Sequence, residues 1–320
     1  MDLASLPRLD APVIREIECR AALAESPLWL PGPGLLLWVD ALAGTLYVLD
    51  DSSGPWRVHR LAEGDAASAV AADTQGGILL TAGTQVTRLD LEEITRPTLH
   101  ATLPADPPGV RFNDAKVGPD GRLWAGTVRP GTDAGGALWT IDADGRAERH
   151  LTGVTHGNGL AWNPAGNRLY FVDSGPRTLT RFGYDTDLGL TGPGQTLLRL
   201  PPEAGVPDGL ATDAEGGLWL AVWGAGRVLR LTPDGEPIAR IDLPARHVTS
   251  CAFTGVRRDL LAVTTAADDD RPGGSVHLLD VGVTGMPVPA FGTPPTGPHP
   301  APHPAPPPAR HDVREPRWEH

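Results

Sequence analysis

Six short apolar runs, each opened by glycine or a turn residue, recur along the chain: GLLLWVD (34–40), GGILLTAG (76–83), GRLWAGT (121–127), NRLYFVD (167–173), GGLWLAV (216–222) and RDLLAVT (258–264). Aligned on Leu37, Leu80, Trp124, Tyr170, Trp219 and Leu261, they are separated by 43, 44, 46, 49 and 42 residues. Each run has a shorter apolar stretch before it, such as GLAWNP (159–164) or GLATDAEG (209–216). Between the two lie turns such as NPAGN, DAEGG, GPDGR and DTQGG, whose Asn, Asp, Pro and Gly supply preset or positive φ angles. A third stretch follows in most repeats, as in TLYVLD (45–50), QVTRLD (85–90), ALWTID (137–142) and RVLRLTPDG (227–235). Strands of about five residues, turns every 8–12 residues and a repeat of about 45 predict an all-β chain. The architecture is a six-bladed β-propeller with four strands per blade around a central channel. Helical periodicity is almost absent, and DLEEIT (90–95) is at most a single turn.

A propeller must close its ring, commonly by pairing an N-terminal strand with the last blade. VIREIECR (13–20) is placed to do so beside SVHLLDVG (275–282). The expected organisation is a short N-terminal extension (1–12), one propeller domain (13–292) and a tail (293–320). The tail is so rich in proline that sheet pairing is excluded and an extended, solvated chain is expected. Its His299, His303 and His311 are read as part of that tail.

Eleven or twelve residues before each anchor lie Glu25, Ser68/Ala69, Asn113, Asn158, Asp208 and Thr249/Ser250. Circular repetition brings equivalent positions together at one mouth of the channel. Any one Asp or Asn at a strand start is most simply a turn cap. Four acids and amides in register on four repeats point instead to a site, and Glu25 is not a favoured turn residue. Two carboxylates and two amides offer oxygen donors, which suit a hard divalent cation and leave positions open to water or substrate. Ser68 and Thr249 or Ser250 are small and mark where a ligand has room.

Other features carry less. His156, two residues before Asn158, is expected to make a strand-edge hydrogen bond. Asp114 is expected on the face opposite Asn113 by strand alternation. Gly224 and Gly226 do not form a dinucleotide fingerprint. The acidic run 268–270 is a solvated loop, and the nine tryptophans fall largely on blade strands and read as packing between blades rather than a carbohydrate platform. There is no GxSxG elbow and no Cys–His partnership, so catalysis would use activated water.

Composition narrows the classes further. Over 320 residues the net charge is −12, which argues against a nucleic-acid surface. No apolar run reaches membrane-spanning length and no signal peptide is evident. Cys19 and Cys251 are expected to be free and buried, which suits a reducing, cytoplasmic compartment. A monomer is expected because a closed ring leaves no free sheet edge to pair.

AESPLW (24–29), RFNDAKVGPDGRLWAGT (111–127), GNGLAWNPAGNRLYFVDS (157–174), PDGLATDAEGGLWLAVWGAGRVLRL (207–231) and TSCAF (249–253) closely resemble the senescence-marker-protein/gluconolactonase family, also called the regucalcin family. The resemblance runs from about residue 13 to about 292. It implies a six-bladed propeller and metal-dependent hydrolysis of a sugar lactone to its aldonic acid. It implies Glu25, Asn158 and Asp208 as ligands of one divalent metal, with Asp208 also the general base. Arg111 and Asn113 are then substrate contacts. Whether Asp208 or the metal activates the water is left open by the sequence. Oxygen-only ligands favour calcium, magnesium or manganese, although a site this open can take zinc or ferrous iron and relatives vary. In animal members an acidic substrate contact follows the element matching Gly126–Thr127. Here the stretch reads VRPGTDAGG, with Gly131 near the acid's place, so the sugar those relatives prefer is not assumed. Two rival readings share the scaffold: an aryl-esterase or phosphotriesterase-like hydrolase, and a non-catalytic calcium-binding regulatory propeller.

Overall fold

A computed structural model describes residues 3, 5–50, 57–60, 67–91, 97–104, 107–132, 134–268 and 273–292. The proline-rich tail with its three histidines, most of DLEEIT and the end of the acidic run at 269–270 lie outside them. The described residues form twenty-four strands and one short 3-10 turn, Pro202–Ala204.

The strands make six antiparallel four-stranded sheets. Blade 1 is β2 (Ala24–Leu30), β3 (Leu35–Asp40), β4 (Thr45–Asp50) and β5 (Arg57–Arg60). Blade 2 is β6 (Ala67–Ala72), β7 (Ile78–Ala82), β8 (Gln85–Leu89) and β9 (Thr98–Thr102). Blade 3 is β10 (Arg111–Val117), β11 (Leu123–Val128), β12 (Gly136–Ile141) and β13 (Ala147–Val154). Blade 4 is β14 (Gly157–Trp162), β15 (Arg168–Asp173), β16 (Thr178–Asp185) and β17 (Gly189–Arg199). Blade 5 is β18 (Val206–Thr212), β19 (Leu218–Trp223), β20 (Arg227–Leu231) and β21 (Pro237–Asp242). Blade 6 is β22 (Val248–Thr254), β23 (Leu260–Thr265), β24 (Val276–Asp280) and, completing it from the other end of the chain, β1 (Val13–Ile17). The expected closure is therefore present, with Val13 opposite Leu279 and Ile17 opposite Val276. The first strand of each repeat is innermost, and β2, β6, β10, β14, β18 and β22 touch in sequence around the ring and back to β2.

All six sequence anchors fall on the second strand of a blade and are buried. There are six hydrophobic clusters, one between each pair of neighbouring blades. A central strand therefore buries both faces, so LLLWVD and LWLAVW read as continuous apolar runs rather than alternating ones. The turn before the second strand is fixed by a buried aspartate. Asp213 accepts from Trp219 Nε1 at 3.0 Å and Gly217 N at 2.7 Å, and Asp120 accepts from Trp124 Nε1 at 3.0 Å. These contacts explain the recurring Asp–Gly–Leu–Trp wording.

One expectation needs correction. Closing the ring joins the blades, but the outermost strand of each sheet has a partner on one side only, so outward edges remain. One is covered by the chain itself: Leu9 N donates to Arg240 O of β21, and Arg240 N donates to Pro7 O.

Candidate active site

Every innermost strand breaks its pairing with the second strand at the same level. The shifts fall between Glu25 and Leu28, Ala67 and Ala69, Phe112 and Asp114, Gly157 and Leu160, Pro207 and Leu210, and Val248 and Ser250. A bulge leaves one or two residues unpaired and re-aims their side chains. Ser68, Asn113, Asn158, Asp208 and Thr249 lie within these bulges, and Glu25 borders the one formed by Ser26 and Pro27. The register read from the sequence thus corresponds to one ring of bulges. Ser68 and Thr249, rather than Ala69 and Ser250, occupy the equivalent places.

The ring divides into residues tied up in hydrogen bonds within or between blades and residues that act on one another as charges. Thr249 Oγ1 donates to Ala24 O of blade 1 at 2.6 Å, and Ser68 Oγ lies 2.8 Å from Thr81 Oγ1. Both are buried, so these hydroxyls serve the protein and do not line an open subsite. Asn113 Nδ2 donates to Gly157 O of blade 4 at 3.2 Å. Ser26 sits at a positive φ of 52° and its Oγ accepts from Val70 N of blade 2 at 2.9 Å. That left-handed turn is strained for a residue with a Cβ, and the neighbouring blade holds it in place.

The charged part is Glu25, Asp208 and a third carboxylate, Asp114. Burial raises Glu25 well above the usual carboxylate range, and the charges of Asp208 and Asp114 raise it further. Burial likewise raises Asp208 well up, with Asp114 adding to the effect and a hydrogen bond from Asn158 opposing it. Asp114 is itself raised by burial, against the pull of Lys116. The expectation that Asp114 faces away is therefore overturned. Strand alternation assumes unbroken pairing, and the bulge at Asn113 turns the next residue toward the other two acids. Lys116, two residues on, reaches across to donate to Leu210 O of blade 5 at 2.7 Å. Sequence reasoning misplaced Asp114 and passed over Lys116. Their signal was the Asp-x-Lys spacing just after a bulge residue.

Two aspartates at the ends of second strands set the entry to the ring. Asp40 accepts from Ala22 N and Leu23 N, just before Glu25. Asp173 accepts from Thr155 N and His156 N, just before Asn158. His156 also bridges to Val128 through its backbone, the strand-edge role expected of it. Asn158 Nδ2 donates to Ser174 Oγ, which donates to Pro207 O. This chain runs from the amide to the residue before Asp208. Arg111 lies on the rim, its guanidinium half-buried and lowered by desolvation. Gly131 stands in open space at a φ of 78°.

Glycine sets the approach of the strands. A Cβ on Gly159 would lie 2.5 Å from Asp208 O and 2.7 Å from Leu210 N. Gly159→Ala should push β18 outward, costing about 1–3 kcal/mol of packing strain. We expect a lower melting temperature and a markedly lower kcat/KM with the far-ultraviolet spectrum unchanged; wild-type values of both would refute this account of the glycine.

The donor set fits a divalent cation. Asp208 Oδ1 is buried and has no hydrogen-bond partner, and a buried acceptor left alone is costly. Repelling carboxylates at one level, joined by an amide, form the oxygen-rich set a hard cation requires. Among the described residues no three His, Cys, Asp or Glu side chains form a metal-holding cluster. The expected set has only two carboxylates, and the Asn158 amide completes it. Both cysteines are free and buried, Cys19 against Gly274 O and Cys251 against Trp219 O. No helix among the described residues is long and apolar enough to cross a membrane.

Fold and site together define a class: a six-bladed propeller that gathers acids and amides on the bulges of its innermost strands, around one level of the channel. Within that class the chain belongs to the SMP-30/gluconolactonase/LRE-like family, whose profile matches residues 23–267. It is 33% identical to regucalcin of Xenopus laevis over 296 residues, covering 86% of this chain and 98% of that one. It is 32% identical to the pentonolactonase XacC of Haloferax volcanii over 291 residues, covering 86% and 96%. Its fold matches the calcium-binding protein regucalcin from Agrobacterium tumefaciens with a TM-score of 0.82 at 31% identity, covering 90% of this chain and 99% of that one.

Proposed function

We propose that the protein hydrolyses sugar lactones to the corresponding aldonic acids, with one divalent cation held by Glu25, Asn158 and Asp208. The observation that carries this reading is the pairing of half-buried Glu25 with buried Asp208 beside Asn158, with Asp208 Oδ1 unpartnered. A pentonolactonase among the relatives supports the substrate class.

When bound, such a cation neutralises the paired carboxylates and polarises the lactone carbonyl. The chain's own residues do the rest. Asp208 takes a proton from the attacking water as its oxygen bonds to the carbonyl carbon. The bond from that carbon to the ring oxygen breaks, and Asp208 returns the proton to the departing oxygen as a hydroxyl. Arg111 and Asn113 orient the sugar hydroxyls from blade 3. Oxygen-only donors favour calcium, magnesium or manganese, and the Agrobacterium neighbour is described as calcium-binding.

The test is turnover of gluconolactone, xylonolactone and arabinolactone with calcium, magnesium, manganese, zinc and ferrous iron, beside phenyl acetate and an organophosphate. Lactone turnover with at least one metal is expected. Preference for the ester or the organophosphate would overturn the substrate class, and cation binding without any turnover would favour a regulatory calcium-binding propeller. We further propose a monomer, to be checked by light scattering.

The raised carboxylates make stability depend on pH. Their folded pKa values lie above those of the unfolded chain, so the folded state retains protons the unfolded chain has released. This contribution is favourable below the ordinary Asp and Glu values, about pH 4, and is lost as pH rises through the raised folded values. The cation-free protein should therefore lose melting temperature with rising pH more steeply than its Glu25→Gln variant. Parallel profiles would contradict the coupling.

A further inference from the structure

Trp223 is the one described tryptophan that is not buried. It ends β19, opposite Val206, which lies two residues before Asp208. Its indole stacks on the imidazole of His247, with ring centroids 4.1 Å apart and planes 25° apart. His247 stands two residues before the bulge residue Thr249 and lies 3.5 Å from Asp268. The loops are tied together: Gly226 N donates to Arg246 O, and Ala267 N donates to Ala22 O just ahead of Glu25. An aromatic pair therefore spans the end of the blade of Asp208 and the strand entry of blade 6, and a backbone hydrogen bond continues from there to the blade of Glu25. Gly224, next to Trp223, has nothing within 4 Å of where a Cβ would stand, so this end of the pair is not closed over.

Blade 6 lies diametrically opposite blade 3 in a ring of six. The strand that carries Arg111 and Asn113 therefore lies across the ring from the His247 end of the pair, and Trp223, on blade 5, stands two blades from it. A sugar lactone has the same two-sidedness, with hydroxyls along its edge and C–H bonds on its ring face. We propose that Trp223, backed by His247, is a stacking subsite that takes the C–H face of the sugar while blade 3 holds its hydroxyls. It rests on the lactonase reading for its ligand. The packing reading of the tryptophans holds for the six buried ones and fails for Trp223, because it sits above the interblade core rather than within it.

Trp223→Ala, Trp223→Phe and His247→Ala are to be compared with wild type in the full chain with saturating metal. Trp223→Ala should raise KM for the best lactone about tenfold, equivalent to about 1.4 kcal/mol, while kcat changes little. Trp223→Phe, which keeps an aromatic face, should recover most of the loss. Titration with the aldonic acid product should change tryptophan fluorescence in wild type and not in Trp223→Phe, since the other described tryptophans are buried. An unchanged KM in Trp223→Ala, or an unchanged fluorescence response in Trp223→Phe, would overturn the subsite. If wild type turns over no lactone, the functional reading fails. Binding of the free sugar acid, read by fluorescence, then decides the subsite: loss in Trp223→Phe upholds it, and no response in wild type overturns it. Thermal melts of each variant separate a lost contact from a lost fold.

Discussion

Asp208→Ala is expected to abolish lactone turnover, lowering kcat by about 10²–10⁴-fold for the lost base alone. The expectation rests on where the bulge between Pro207 and Leu210 puts this carboxylate: buried, one oxygen unpartnered, the other group within reach of Asn158. The same substitution removes one of three like charges from a desolvated cluster. It should therefore raise the melting temperature of the cation-free protein while destroying activity. Opposite signs in the two measurements distinguish a functional residue from a structural one, since deleting a buried structural carboxylate with satisfied partners destabilises. Asp213 provides that contrast, because its oxygens are engaged by Trp219, Gly217 and Arg230. Asp213→Ala should lower the melting temperature with a comparatively mild loss of kcat. Full activity of Asp208→Ala in the presence of metal would sink the assignment of the base.

Removing divalent cations with a chelator should reduce turnover to background, and adding back one suitable cation should restore it. The loss should appear in stability as well. Binding to the folded state alone adds about 2.7 kcal/mol at a hundred times the dissociation constant. The melting temperature should therefore rise with cation concentration and respond little in Glu25→Gln. Glu25 is chosen because burial, Asp208 and Asp114 all disfavour its charge, so neutralising it removes much of what a cation would relieve. Turnover undiminished by chelation would leave hydrolysis possible but remove the metal from it.

The candidate site was legible to different depths at different residues. Glu25, Asn113, Asn158 and Asp208 could be found by counting back from the anchors, because a repeat that closes on itself maps spacing onto angle. Ser68 and Thr249 were found by the same count, but their role was not. Nothing in the sequence reveals that Thr249 is spent on Ala24 O or Ser68 on Thr81. Asp114 was placed on the wrong face because alternation holds only while pairing is regular, and the bulge at Asn113 breaks it. Lys116 escaped notice because its partner, Leu210 O, belongs to a blade 94 residues away. Trp223 was grouped with the packing tryptophans because composition does not separate a strand's buried middle from its end at the rim.

By itself the sequence determined the fold, the blade count and the level of the channel at which acids and amides meet. Those follow from periodicity, turn chemistry and the requirement that each apolar strand bury both faces, all of which are written locally. The tertiary structure alone decided which side chains bridge neighbouring blades, that the charge of a third carboxylate, Asp114, acts on Glu25 and Asp208, and that Trp223 stacks on His247 rather than packing in the core. These depend on contacts between residues far apart in the chain and on a one-residue slip in pairing, where a few ångströms of separation and the loss of water set the charge energetics.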